Sequence, residues 1–328
     1  NHMDSQTTTA SPLGRTLIIA NPASQLGSGG RAAEQLQRFL ALYHHDRDSF
    51  ELVYTERPRH AIELAQAARG FDAVLALGGD GIVHEVVNGL MAIPAAERPA
   101  MGVVPVGSGN DFARTLGMRD FTGDGFGRYL TCERIPFDVG RLALRDADDG
   151  PAATEYFIET FSFGLDAAVA IGTYELRNVT KLTGGALYMA SGVDVLARRF
   201  QPYPARIALD GGEPERLRTF IVAVQLGPTY GSGFRICPDA DPTDGRFDVC
   251  IASGRATRVT ALALLLRAKN GHHVGSRYIR FARARRVDIE LEGAGYPMQA
   301  DGEQLSATRI GIEILPGALT VLRPIDPR

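Results

Sequence analysis

The sequence predicts an α/β N-terminal domain, with a parallel sheet flanked by helices, followed by an antiparallel, β-rich C-terminal domain. Three observations predict it. Residues 15–118 alternate apolar runs with amphipathic segments, four times over. Three of those apolar runs end in glycine-rich turns. From about Ile135 the rhythm changes to short strand patterns separated by Gly, Asp and Pro. Parallel strands buried on both faces read as continuous apolar runs, whereas half-exposed antiparallel strands alternate.

Taken in order, "RTLIIANP" (15–22) reads as a buried strand and "RAAEQLQRFLALYHH" (31–45) as an amphipathic helix. "FELVYT" (50–55) is a strand, and "RHAIELAQAARG" (59–70) a helix closed by Gly70. "DAVLALGG" (72–79) and "IVHEVVNGLMA" (82–92) form the third unit, "PAMGVVPVGSG" (99–109) and "NDFARTLGM" (110–118) the fourth. Ligands of such sheets bind in the crevice beyond the carboxyl ends of the strands. In the second half, strands are expected at 137–145, 154–164, 205–210, 217–227, 246–254, 285–293, 297–303 and 310–317. Helical patterns interrupt them at about 174–199 and 257–271. The final "ALTVLRP" can add a strand to either domain. The expected division is a disordered tag at 1–13, the α/β domain at 14–134, and the β-rich domain at 135–316. Residues 317–328 are left to complete the first domain. Asn1-His2 before Met3 reads as a cloning remnant.

Composition narrows the function classes. The net charge is −3, which gives no reason to expect nucleic acid as a partner. The three cysteines, Cys132, Cys237 and Cys250, have no metal-ligand spacing and read as reduced, buried thiols. No apolar run approaches the roughly 18 residues needed to span a bilayer, and the N-terminus has no signal-sequence pattern. A cytoplasmic protein is expected, free to rest on a membrane surface.

The glycine turns are "NPASQLGSGG" (21–30), "GGDG" (78–81) and "VGSGND" (106–111). Glycine lets the backbone approach a ligand closely, and amides at a helix start bind anions. Three such turns at neighbouring strand ends would converge on one polyanion, and nucleotide phosphates are the natural candidate. Any single turn is explained equally well as ordinary strand-to-helix punctuation. A Walker loop needs Gly-Lys-Ser/Thr, but no lysine precedes Lys181. The dinucleotide fingerprint of Gly-x-Gly-x-x-Gly is not met either.

"NPASQLGSGG", "TERPRHAIELA", "LGGDGIVHEVVNGL" and "VPVGSGNDFART", in that order and spacing, resemble the diacylglycerol kinase catalytic family of lipid kinases. That family includes bacterial diacylglycerol kinases and the sphingosine and ceramide kinases. "PDADPTDGRFDV" and "ADGE" resemble its C-terminal motifs. Gly-Gly-Asp-Gly also occurs in NAD kinases and phosphofructokinases, so the resemblance implies an N-terminal fold of that kind.

The resemblance implies ATP as co-substrate, with Mg²⁺, bound between the domains. Its phosphates would lie over Gly78, Gly79 and Gly81, with the amide of Ile82 adding a donor. Phosphoryl transfer asks the protein for positioning and charge neutralisation more than covalent chemistry. Asp80 would then orient Mg²⁺ or accept the acceptor hydroxyl's proton; read alone, it is a helix cap. Asn21, Thr55, Gly107, Ser108 and Asn110 match further nucleotide contacts, and Asp111 would help to order the last loop. His84 and Glu85 are implied to sit beside the nucleotide, although Glu85 also suits a helix N-terminus. Ile82 stands where the bacterial enzymes usually have threonine. In "ADGE", Glu303 and Asp301 are candidates to activate the acceptor hydroxyl, and Asp301-Gly302 alone reads as a hairpin turn. The sequence does not choose between Asp80 and Glu303. "DADPTDGRFD" resembles a structural Mg²⁺ loop, with a carboxylate from Asp244 and main-chain oxygens near Asp241 and Arg246.

The expected reaction is γ-phosphate transfer to the hydroxyl of a membrane lipid. Diacylglycerol is the first candidate acceptor and ceramide the second. Sphingosine is disfavoured, because Ala168 and Ala170 occupy the region where sphingosine kinases carry acids, leaving only Asp166. A soluble acceptor such as NAD and a non-catalytic binding role are the remaining alternatives. Phe161, Phe163, Leu165, Leu187, Tyr188 and Val193, within 157–200, read first as plain core, with acyl-chain contact the alternative. "RVTALALLLRAK" (258–269) reads as a buried core helix, with membrane contact the alternative. The resemblance leaves a homodimer open and places the protein peripherally on the inner face of the membrane.

Overall fold

The computed structural model describes residues 12–118, 125–146 and 150–325. The tag expected at 1–13 lies outside the described residues except for Pro12 and Leu13, and Leu13 is fully buried in the first core.

The first part follows the predicted alternation. It runs β1 (Arg15–Ala20), α1 (Ser24–Tyr43), β2 (Ser49–Tyr54), α2 (His60–Gln66), β3 (Ala73–Gly78), α3 (Asp80–Met91), β4 (Ala100–Pro105) and α4 (Asp111–Thr115). Every residue of β3 and β4 is buried, as their unbroken apolar runs require. The strands pair in parallel in the order β2-β1-β3-β4. The chain leaves β1 in one direction to form β2, then returns past it to form β3. With right-handed crossovers, that reversal puts α1 on one face and α2 and α3 on the other. It also makes the boundary between β1 and β3 the switch point where open α/β sheets bind ligands.

The second part is antiparallel and β-rich. It contains β5 (Cys132–Arg145), β6 (Ala153–Phe157), β7 (Thr160–Gly164), α5 (Leu165–Val179), α6 (Gly184–Arg198), β8 (Tyr203–Leu209), β9 (Glu215–Gln225) and β10 (Phe247–Ser253). Then follow α7 (Arg258–Ala268), β11 (Ile279–Ala284), β12 (Arg286–Leu291), β13 (Met298–Ala300), β14 (Glu303–Gln304) and β15 (Arg309–Pro324). One path of paired strands runs β14-β13-β7-β9-β8-β12-β15, with β10 between β9 and β11. The last strand joins the two parts. It pairs antiparallel with β5 along its length and, past a register shift between Leu315 and Leu319, places Val321 in parallel against Met101 of β4. Leu319, Val321 and Leu322 enter the core under the parallel sheet, while Ile310, Ile312 and Ile314 enter the core of the β-rich part.

Several boundaries differ from the sequence expectation. The run 154–164 is two strands, because the turn at Ile158–Thr160 is held by a carboxylate 141 or more residues away. The helical pattern at 174–199 is two helices, and the first starts at Leu165, directly after Gly164 with its φ of 109°. β11 was not expected; its exposed arginines mask the strand alternation. The helix α7 buries only Ala268, so its expectation as a core helix is corrected. All three cysteines are free and buried, as expected.

Candidate active site

The three glycine loops meet at the carboxyl ends of β1, β3 and β4. The Asn21 amide donates to the Leu77 carbonyl at 3.0 Å, joining the first loop to β3. Gln25, Leu26 and Gly27 take left-handed φ values of 50°, 55° and 91°, which fold this loop before the regular helix. Gly78 has φ 154°, and a Cβ there would lie 2.8 Å from Ile82 Cγ2 and 2.9 Å from Ser24 Oγ. No other residue fits that position without moving its neighbours. A Cβ on Gly107 would lie 2.4 Å from the Gly79 Cα, so the third loop touches the second backbone to backbone. Asn110, left-handed at φ 55°, closes this loop by donating from Nδ2 to the Gly107 carbonyl at 2.8 Å, and its buried Oδ1 has no protein partner. The Thr55 amide donates to the Ala20 carbonyl at 2.9 Å, at the same sheet edge one strand further out. The side chain of Ile82 is buried in the core, which leaves only its backbone amide for a ligand.

Asp80 begins α3 between these loops. One carboxylate oxygen accepts the Phe112 amide at 3.2 Å. Asp80 keeps some solvent contact, yet burial deep in the crevice, reinforced by the charge of Asp111, pushes its pKa up to about 7. Asp111 is itself buried and raised by burial. It accepts the Thr229 hydroxyl at 3.2 Å and the amides of Ser232 and Gly233 at 2.9 and 2.8 Å, tying α4 to the loop after β9. Glu159 is buried nearby, and burial with the charges of Asp301 and Asp111 holds its carboxyl well above the usual range.

The second part contributes the "ADGE" turn. Asp301 has φ 48° and its carboxylate accepts four donors. These are the amides of Ile158, Glu159 and Thr160, at 2.9 to 3.0 Å, and His84 Nδ1 at 3.0 Å. His84, fully buried, also bonds Glu155 through Nε2 at 2.8 Å. Burial works to lower the imidazole pKa, but the bonds to Asp301 and Glu155 override it and hold it at about 9. His84 is therefore a charged bridge from α3 to β6 and the "ADGE" turn. Glu85 points elsewhere: its carboxylate accepts the amides of Arg59 and Ala61 at 3.0 and 3.1 Å, fixing the start of α2.

Beyond Asp301 the turn projects Glu303 over α3. Its Oε1 lies 3.3 Å from where a Cβ on Gly81 would sit. Burial raises its pKa. The Tyr174 hydroxyl donates to the Gly302 carbonyl at 3.1 Å. Arg177, one turn further along α5, reaches Ser108 Oγ at 3.4 Å. Tyr174, Arg177 and Glu155 are site residues that sequence reasoning missed. No local signal marks them, since each acts on a partner more than 65 residues away.

The site thus crowds Asp80, Asp111, Glu159 and Glu303 around a cluster of backbone amides, with Arg177 at its rim. The loop expected to hold a structural Mg²⁺ is arranged differently. Asp244 accepts the Arg246 amide at 3.0 Å and pairs with Arg283 through its other oxygen. Arg283 also reaches Asp248 at 3.6 Å, and Asp241 accepts Thr243. Asp138 binds the amides of Gly245 and Gly317 at 2.7 and 2.8 Å. These carboxylates already have partners, and the positive charge beside Asp244 is a guanidinium. Among the described residues no group of three or more His, Cys, Asp or Glu side chains could hold an ion.

A third feature lies under α5, α6 and α7, against β9 and β10. It is a narrow apolar pocket of about 80 Å³, partly open to solvent. Leu165, Tyr188, Phe220 and Leu265 are among its walls. Asp166 and Tyr230, hydrogen-bonded to each other, belong to its polar lining together with Ser253 and His273. Phe161 and Phe163 belong to the surrounding core, whereas Val193 is half exposed on the outside of α6. Tyr230 lies in the same loop as the Ser232 and Gly233 amides that bind Asp111, so the pocket adjoins the crevice.

A glycine-lined anion site on a parallel sheet, faced by acids from a β-rich partner, defines a phosphotransferase of the kind with an NAD kinase-like fold. Residues 15–142 match the family model described as diacylglycerol kinase catalytic domain. Residues 159–323 match the YegS C-terminal NAD kinase beta sandwich-like domain. The chain is 31% identical to the diacylglycerol kinase of Bacillus subtilis, covering 88% of this chain and 89% of that one. It is 30% identical to a YegS-like lipid kinase of Chromohalobacter salexigens, covering 81% and 80%. A crystal structure of a diacylglycerol kinase from Bacillus anthracis superposes with a TM-score of 0.71 at 22% identity, over 96% of this chain and 98% of that one, which shows the shared fold. The chain belongs to the diacylglycerol kinase catalytic family of lipid kinases.

Proposed function

We propose that this kinase transfers the γ-phosphate of ATP to the primary hydroxyl of diacylglycerol at a membrane surface. The observation that carries the reading is the convergence of three glycine loops on Asp80, with Glu303 over Gly81 and an apolar pocket alongside. Gly79, Gly81 and Ile82 amides, with Asn21, Ser108, Asn110 and Arg177, would bind the triphosphate. Mg²⁺ would travel with the nucleotide, neutralising phosphate charge beside Asp80; the Asp241–Arg246 loop, closed by Arg283, takes no part. Asp301, saturated by four donors, positions the turn. The Glu303 carboxylate makes no hydrogen bond to any described residue and is free to accept the hydroxyl proton, acting through position more than pKa. The pocket would take acyl chains. The return of Leu319, Val321 and Leu322 to the first core supports 317–328 completing the first domain, while Phe137, Val139 and Ile158 also pack in that core, across the proposed boundary at 134.

A sphingoid acceptor is the second reading. Asp166 lines the pocket, held by the Tyr230 hydroxyl with Ser162 and the Ala167 amide close by, and burial raises its pKa to about 7. An ammonium group would pair with it. The test is transfer of labelled phosphate from ATP·Mg²⁺ to mixed micelles of diacylglycerol, ceramide or sphingosine, with NAD as the soluble control. Product on diacylglycerol supports the first reading, and product on sphingosine alone supports the second. Product on NAD alone overturns both.

A further inference from the structure

The helix α7 is apolar on two opposite sides. Ala261, Leu264, Leu265 and Ala268 share one face and line the pocket. Val259, Leu262, Ala263 and Leu266 repeat the same i, i+3, i+4, i+7 spacing two residues earlier, which turns them about 200° away. That second stripe faces outward. Val259 is 78% exposed, Leu266 52% exposed, and Ala263 is exposed as well. Val193, on the neighbouring α6, adds another half-exposed apolar side chain beside Gly192, which Leu265 contacts. A helix that is apolar all round belongs inside a core or in lipid, and this one is on the surface.

The charge around it is one-sided. From Val249 to Val287 the chain carries nine arginines and lysines and no aspartate or glutamate, in a protein of net charge −3. Arg280 and Arg283 pair with acids from other segments, and Arg286 with Asp288 of its own strand. Arg255, Arg258, Arg267, Lys269 and Arg277 are exposed and have no acidic partner among the described residues. Arg255 and Arg258 stand at one end of α7, and Arg267 and Lys269 at the other.

We propose that α7 is the membrane-docking element: its outer stripe enters the interface of an anionic phospholipid bilayer, and the flanking cations bind the headgroups. An apolar face bracketed by arginine and lysine is the pattern of an interfacial helix, and cations near an anionic surface add to its affinity. The inner face of the same helix roofs the pocket, so docking sets the pocket wall against the lipid phase. This rests on the lipid-acceptor reading and adds the surface through which the acceptor is reached.

The test is co-sedimentation of the full chain with phosphatidylcholine vesicles, with and without about a third phosphatidylglycerol, a fraction large enough for surface charge to act. The wild type is expected to bind the anionic vesicles at least ~10-fold more strongly, with binding lost in high salt. Val259→Glu/Leu266→Glu and, separately, Arg255→Glu/Lys269→Glu should each weaken it at least ~10-fold, at positions exposed enough to leave the fold intact. Both should phosphorylate a short-chain diacylglycerol in detergent micelles at the wild-type rate. Unchanged vesicle binding by either variant overturns the proposal, as does equal binding to neutral vesicles. So does a wild-type dimer in sedimentation that Val259→Glu/Leu266→Glu converts to monomer, since the stripe would then face a second copy. Expected vesicle binding with no lipid phosphorylated overturns the acceptor reading and supports the docking surface.

Discussion

Two acidic regions of this molecule use the same residue types and end in opposite states. Around Asp244 a cation is built in: Arg283 pairs with Asp244 and Asp248 and loop amides bind Asp138 and Asp244, although burial still raises Asp138 and Asp248. Around Asp80 only Asp111 has a cation, Arg114 at 3.6 Å, and Asp80 and Glu159 pair with none among the described residues. Asp80, Asp111 and Glu159 all have raised pKa values, and burial is the first cause in each. Folding alone gives no reason to collect uncompensated acids, since burying unpaired charge is costly. The difference separates a loop completed by its own arginine from a crevice that needs a cation from outside. His84 marks the border, compensating Asp301 and Glu155 while leaving Asp80 and Glu303 exposed to a ligand.

Breaking the unmatched cluster should have the largest effect. Asp80→Asn should lower kcat by about 10³, roughly 4 kcal/mol of barrier. Its melting temperature should hold or rise, because a crowded acid is gone. A lower melting temperature with kcat preserved would make Asp80 a structural residue.

The bridge between the clusters comes next. The folded-state pKa of His84, about 9, lies above the ordinary value of 6.5. Its contribution, on the order of 3 kcal/mol, is complete below pH 6.5 and is lost as pH rises through 9. The stability gap between wild type and His84→Gln, measured by denaturant unfolding, should close over that window. A gap independent of pH contradicts the charged bridge.

Glu303→Gln should cost about 10² in kcat with KM for ATP nearly unchanged, as expected for loss of a general base. An equal rise in KM would move Glu303 from the acceptor to the nucleotide.

The matched cluster gives the smallest effect. Arg283 is half exposed, so Arg283→Ala should cost about 1 kcal/mol after solvent screening. Millimolar Mg²⁺ should restore that loss in thermal melts of the variant and leave the wild type unmoved. Mg²⁺ stabilising the wild type equally through this loop would contradict closure by arginine.

What the sequence made legible follows the range of the interactions. The β3–Gly-Gly-Asp-Gly–α3 unit was readable because an unbroken apolar run, three glycines and a helical repeat lie within 20 residues. The convergence of the three loops followed from strand order. The partners of His84, 71 and 217 residues away, were not readable, so His84 was expected beside the nucleotide and is found bonded to carboxylates. The break between β6 and β7 was hidden for the same reason, since Asp301 makes that turn. Glu85 suited a helix N-terminus on sequence grounds, and it serves one, but on α2 instead of its own helix. The metal-loop motif contains Asp244 but not the arginine from β11 that pairs with it, so that pairing was not readable.

The central claim is that the unmatched acids serve phosphoryl transfer to a lipid. The most direct measurement is labelled-phosphate transfer from ATP·Mg²⁺ to diacylglycerol micelles by wild type and Asp80→Asn side by side. Phosphatidic acid formed by the wild type, and reduced about 10³-fold in the variant, is the predicted result. Equal turnover by the two proteins would contradict the account.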